Sequence, residues 1–199
     1  MPLYIKLTHY SKSRVSKSRL LRNHRRMERI QAVAIAILGL WIGLTLAMWF
    51  VATRSFRTVD RVLSQPGPEF TRTVQPLGQD QTRVMLRHLA SEINRTLFGF
   101  YGWAQILLGA LLVLLLWRQT PRDTIGFAVA WVMLGLAVIL TFIIQPWIVS
   151  IGRSIDFVPR QPAPPVMPRF WMLHGAFTGL DGVKCLAGLG LLLRWILAE

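Results

Sequence analysis

Residues 30–52 read IQAVAIAILGLWIGLTLAMWFVA, and this stretch decides the fold. It carries no charge, and Gln31, near its start, is its only strongly polar member. About 23 residues rising 1.5 Å each cover the ~30 Å hydrocarbon core of a bilayer. Three more stretches have the same character. Residues 97–117 read LFGFYGWAQILLGALLVLLLW, residues 124–151 contain AVAWVMLGLAVILTFIIQPWIV, and residues 170–197 read FWMLHGAFTGLDGVKCLAGLGLLLRWIL. Each exceeds the ~18 residues that a spanning helix needs. Four such spans leave too few polar residues to solvate a globule. The expected fold class is therefore all-α, an integral membrane four-helix bundle with a short amphipathic helix in the first connection.

Composition agrees. The chain has 199 residues, of which 53% are hydrophobic and 16% charged, with a net charge of +14. Soluble domains carry about 25% charged residues. High apolar content and a large positive charge coexist when apolar spans lie in lipid and basic segments lie beside it. A disordered tail protein is excluded. So is a disulfide scaffold, because Cys185 is the only cysteine.

Residues 1–29 form a basic leader, with nine lysines and arginines and a single acid, Glu28. Residues 30–197 form the bundle. The long apolar run without a small-residue cleavage site reads as a retained helix and not as a signal peptide. Arg22, Arg25, Arg26 and Arg29 stand just before the first span, where they are expected to meet anionic lipid headgroups rather than nucleic acid. Lysine and arginine are counted on alternate sides with the leader inside. They number twelve inside and ten outside, and the densest cluster precedes the first helix. The expected location is a bacterial inner (cytoplasmic) membrane, with both termini cytoplasmic.

The first connection begins TRSFRTVDRVL, which continues the first helix. SQPGPEFTRTVQPLGQD then predicts a non-helical linker. From Gln81 the pattern is amphipathic, with Met85, Leu89, Ile93 and Leu97 spaced by four. The helix it predicts lies at the interface or leans on the first span. RQTPRD closes a tight hairpin between spans two and three, with Thr120 or Asp123 as a cap near Pro121. The third connection, with five prolines between Pro159 and Pro168, predicts an extended, stiff tether.

Polar groups inside a membrane are the functional candidates. His174, Thr178 and Asp181 fall on one face of span four, together with Cys185. Asp181 and Lys184 are three apart and can pair within the helix. Tyr101 and Gln105 line a stripe on span two, as do Thr141 and Gln145 on span three. Pro146 frees the carbonyl of Phe142, for a neighbouring helix or Gln105 to satisfy. Gly39/Gly43 and Gly175/Gly179 match the GxxxG packing motif. No nucleotide loop, catalytic triad or metal-ligand spacing appears, so neither enzyme activity, metal nor cofactor is expected.

The fourth span opens with Phe170, Leu173 and His174 in RFWMLHGAF, after Gln145–Pro146 and Arg153. Earlier come SFRTVDRVL and LFGFYG. Together these resemble a small four-helix bacterial membrane family of unknown function, related to a short eukaryotic transmembrane protein linked to platinum-drug tolerance. The resemblance covers roughly residues 35–197 and excludes the leader. It implies four membrane helices and no established chemistry.

The function expected is an accessory, structural or assembly subunit of a larger membrane complex, with lipid and other membrane subunits as partners. One alternative is a small-solute, proton or ion transporter using His174, Asp181 and Lys184. Another is a haem or chlorin binder through His174.

Overall fold

A computed structural model describes the backbone of residues 3–120, 122–158 and 162–197, and within these the side chains from Met27 onward. Helix α1 (Leu3–Ser64) carries the first span inside one unbroken helix. A short helix α2 (Pro68–Val74) and a 3₁₀ turn (Gln75–Leu77) lead into α3 (Gly78–Trp117). Helices α4 (Thr124–Ile139) and α5 (Gln145–Ser154) are joined by a π-helical turn, and α6 (Met167–Leu197) follows. Four helical segments are long and apolar enough to cross a membrane: Met27–Ser64, Pro68–Trp117, Thr124–Ser154 and Met167–Leu197. No strand occurs among the described residues.

The helices close a ring. α1 packs on α3, α3 on α4, α4 on α6, and α6 back on α1. The core gathers Leu38 and Trp41 of α1, Leu112 and Leu116 of α3, Met133 of α4, and Leu191 of α6. Gly109 makes room for it, since a Cβ there would stand 2.8 Å from the Trp41 ring. By contrast Gly39, Gly43, Gly175 and Gly179 have nothing within 4 Å, so neither GxxxG motif is a packing seam in this chain. Close approach instead falls on single glycines such as Gly102, Gly109 and Gly188, which face Thr141, Trp41 and Met133.

Two connections differ from the sequence expectation. The proline-rich first linker is helical from Pro68. Proline fits the first turn of a helix, where its missing N–H has no partner to lose. Gly78, with φ of 70°, then turns the chain into α3. The third connection is turned at both ends rather than extended throughout. Val158 N–H bonds the Ile155 carbonyl at 3.4 Å and Met167 N–H bonds the Pro164 carbonyl at 2.9 Å, which makes two tight turns. Pro159, Arg160 and Gln161 of that tether, Pro121 of the hairpin, and the side chains of Arg22, Arg25 and Arg26 lie outside the described residues. Arg29 is described and exposed.

The amphipathic segment is the first half of α3 itself, leaning on α1. Its polar and small positions Thr82, Ala90 and Asn94 face inward, and Met85, Leu89 and Ile93 face outward. Pro146 is absorbed by the π turn. The Gln145 N–H reaches back five residues to the Leu140 carbonyl, so the helix gains slack where proline cannot donate. Gln105 does not serve the Phe142 carbonyl; it points to α1.

Candidate functional site

Three carboxylates organise the bundle, one at each end and one in the middle. The central one, Asp181, is 0% exposed, and Lys184, one turn on, is 1% exposed. Lys184 Nζ donates to Asp181 Oδ1 at 2.5 Å. Trp49 of α1 donates its indole N–H to Oδ2 at 2.8 Å. The Tyr101 hydroxyl of α3 lies 3.0 Å from both carboxylate oxygens and 3.0 Å from Thr45 Oγ1. Thr45 in turn donates to the Trp41 carbonyl at 3.1 Å, and the Trp41 indole N–H donates to Gln105 Oε1 at 3.4 Å. The ammonium of Lys184 also sits 5.8 Å from the Trp41 ring centre, on the face that attracts cations. Both charges are thus bonded into a network spanning α1, α3 and α6. A lone charge at this depth costs ~3 kcal/mol or more, and the pairing cancels it locally.

The structure brings together four of the seven polar residues singled out in the sequence: Tyr101, Gln105, Asp181 and Lys184. It leaves out three. His174 and Thr178 are exposed, and Thr178 satisfies its hydroxyl on the His174 carbonyl at 3.0 Å. Gln145 lines a separate cavity. The shared helical face holds for Asp181 and Cys185 but opens toward the start of α6, where the helices splay. Sequence reasoning missed Trp41, Thr45 and Trp49. They recur every four residues on α1, so they line one stripe that faces both α3 and α6.

At one end Asp123 caps α4, accepting from the Gly126 N–H at 3.0 Å. It also takes Arg194 at 2.9 and 2.8 Å and the Trp195 indole at 2.8 Å, tying the end of α6 to the hairpin. Burial alone would raise the Asp123 carboxyl, but the bonds from Trp195, Gly126 and Arg194 outweigh it and hold it below its ordinary value. At the other end Asp156 receives a two-pronged Arg95 guanidinium at 2.7 and 2.9 Å, and His88 at 3.0 Å. Burial again opposes, and the Arg95 and His88 bonds win, so Asp156 is also held low. Glu92 joins through Arg95 and through Arg153 at 3.5 Å. The ligand atoms of His88, Glu92 and Asp156 lie within 4.8 Å of one another, a spacing a cation could use. Arg95 already bonds both carboxylates, so the position holds a resident cation of the chain itself.

Beside this network a cavity of about 740 Å³ opens between α1, α3, α5 and α6. Phe98 and Phe177 line it, packed edge to face at 5.5 Å, and Phe98 packs in the same way on Tyr101 at 6.1 Å. These rings stand between the cavity and the Asp181 cluster.

Fold and site define a helical multi-pass membrane protein with a closed polar centre. Residues 81–154 match the model of a domain of unknown function, DUF4149. The matched stretch carries Tyr101, Gln105 and Arg95 but ends before Asp156 and Asp181. No curated protein matches the chain. No solved structure matches it.

Proposed function

We propose that this chain is an accessory or assembly subunit that docks on a larger membrane complex through the projecting α1–α3 hairpin. One observation carries the reading. Thirty ångströms back from Trp117 along α3 reaches about Leu97, which marks the hydrocarbon boundary at 1.5 Å per residue. The charged Glu92–Arg95–Asp156 level lies beside that boundary. Met85 and Leu89 lie about 12 to 18 Å beyond Leu97 on the same rise. They remain 55% and 57% exposed, in line with Ile93 at 48%. An apolar stripe that extends past the lipid has no bilayer to cover it, and such patches mark contact sites.

The sealed polar centre fits a structural role. With Asp181 and Lys184 buried and bonded, they act as a lock between three helices. The transport reading gains no support from a charge pair closed off by Phe98 and Phe177. His174 lies exposed beside Phe170 and Trp171, and His88, which lines the same cavity, is held by Asp156, so the axial haem reading gains no support either. Placement in a bacterial inner membrane with both termini cytoplasmic belongs to the same proposal and rests on the basic leader. The match over residues 81–154 agrees with an uncharacterised family, and kinship with the eukaryotic platinum-tolerance protein remains part of the proposal.

Native electrophoresis of membranes solubilised in mild detergent tests it. The full chain should migrate within a complex well above its 22.7 kDa. A double Met85→Glu, Leu89→Glu variant should return it to a small species. A solitary small species for the unsubstituted chain would overturn the reading.

A further inference from the structure

The cavity between α1, α3, α5 and α6 opens at the Asp156 end of the bundle. At about 740 Å³ it falls in the roughly 300–1,000 Å³ range of sites that enclose small molecules. Phe98 and Phe177 form its floor, and Ile148, Phe170 and Trp171 contribute apolar wall. The charged side chains at its mouth are matched among themselves. Arg87 pairs with Asp60 at 3.3 Å, and Arg95 and His88 both hold Asp156. An ionic head group would have to break one of these pairs. Of the uncharged polar side chains in the lining, Thr53 and Asn94 are bonded within the chain, and Ser91, Gln145, Trp171 and His174 are left to meet a ligand. The Gln145 amide and the His174 ring line the cavity and bond no other side chain among the described residues. His174 stacks on Phe170 at 6.0 Å and 13°, which presents its nitrogen-bearing edge alongside an aromatic surface.

We propose that this cavity binds one uncharged amphiphile, whose carbonyl-bearing head hydrogen-bonds Gln145 and His174 while its apolar body rests on Phe98 and Phe177. Two sources share that chemistry, a lipid-soluble quinone and a neutral glycerolipid. Photolabelling of the purified full chain in detergent with an azide-bearing alkyl benzoquinone tests the site. Unlabelled short-chain alkyl benzoquinone and short-chain diacylglycerol serve as the competing arms. Label should concentrate on residues 145–177, and at least one competitor should suppress it. Whichever competitor succeeds identifies the source. A Gln145→Leu, His174→Leu variant keeps the apolar lining and should weaken that competition about tenfold, the effect of ~1.4 kcal/mol of lost hydrogen bonding. Ala52→Trp, which fills the cavity from α1, should abolish site labelling and stands in if the double variant fails to fold. Label spread evenly onto lipid-facing Trp103 and Leu107 would overturn the proposal. Competition unchanged in both variants would do the same. The purified chain carries no partner, so this failure leaves the docking reading untouched.

Discussion

Replacing Asp181 by asparagine removes the partner of a buried ammonium while keeping nearly the same volume. Lys184 is then left 1% exposed, with its 3.3 Å bond to Tyr101 and the Trp41 ring as company. Breaking a buried pair by removing one member costs about 3–5 kcal/mol. Lysine has an escape, since releasing its proton at pH 7 costs about 4.6 kcal/mol from its free pKa, and this sets the ceiling. The expected loss is therefore about 3 to 4.6 kcal/mol. Removing both charges, as Asp181→Leu with Lys184→Met, avoids the unpaired charge and should fall within about 1 kcal/mol of the parent or exceed it. Reversible unfolding in mixed micelles, titrated with a denaturing detergent, measures Asp181→Asn beside Asp181→Leu, Lys184→Met and the two together. A loss under about 1 kcal/mol for Asp181→Asn, or a double variant worse than either single, would refute the closed-lock reasoning.

Other outcomes follow from the same geometry. Thr141 Oγ1 is buried against Gly102 and has no hydrogen-bond partner among the described residues. Thr141→Val should be neutral or stabilising in the same assay, whereas Gly102→Ala, whose Cβ would stand 2.7 Å from Thr141, should cost about 1–3 kcal/mol by overpacking. Asp123→Ala removes a helix cap and should cost at least about 1 kcal/mol, with faster amide exchange in the first turn of α4. Asp156 has a folded pKa held below its ordinary 3.8, so its contribution is present above that pH and lost as pH falls through the lower folded value. Asp156→Asn should flatten the acid limb of the stability profile below about pH 4.

Much of this was legible in the sequence because bilayer thickness is a strict ruler. Four long apolar runs and the hairpin RQTPRD follow from length and turn chemistry alone, and of its two candidate caps, Thr120 and Asp123, the structure uses Asp123. The Asp181–Lys184 pair was legible from its three-residue spacing. Its partners on α1 were not. Trp41, Thr45 and Trp49 are ordinary residues for a membrane helix, and only the closed ring of helices turns their stripe toward α3 and α6. His174 shows the opposite failure. It shares a helical face with Asp181, but helix periodicity says nothing about where neighbouring helices part. Asp156 lies outside every span and drew no notice. Its role depends on Arg95 and His88, more than sixty residues earlier, reaching it across the fold.

The docking claim is tested most directly by a photoreactive residue at Leu89 of the full chain, irradiated in native membranes, with Trp103 as the lipid-facing control. A discrete crosslink to one partner polypeptide is expected from position 89, and diffuse lipid labelling from position 103. Lipid labelling alone from both positions would contradict it.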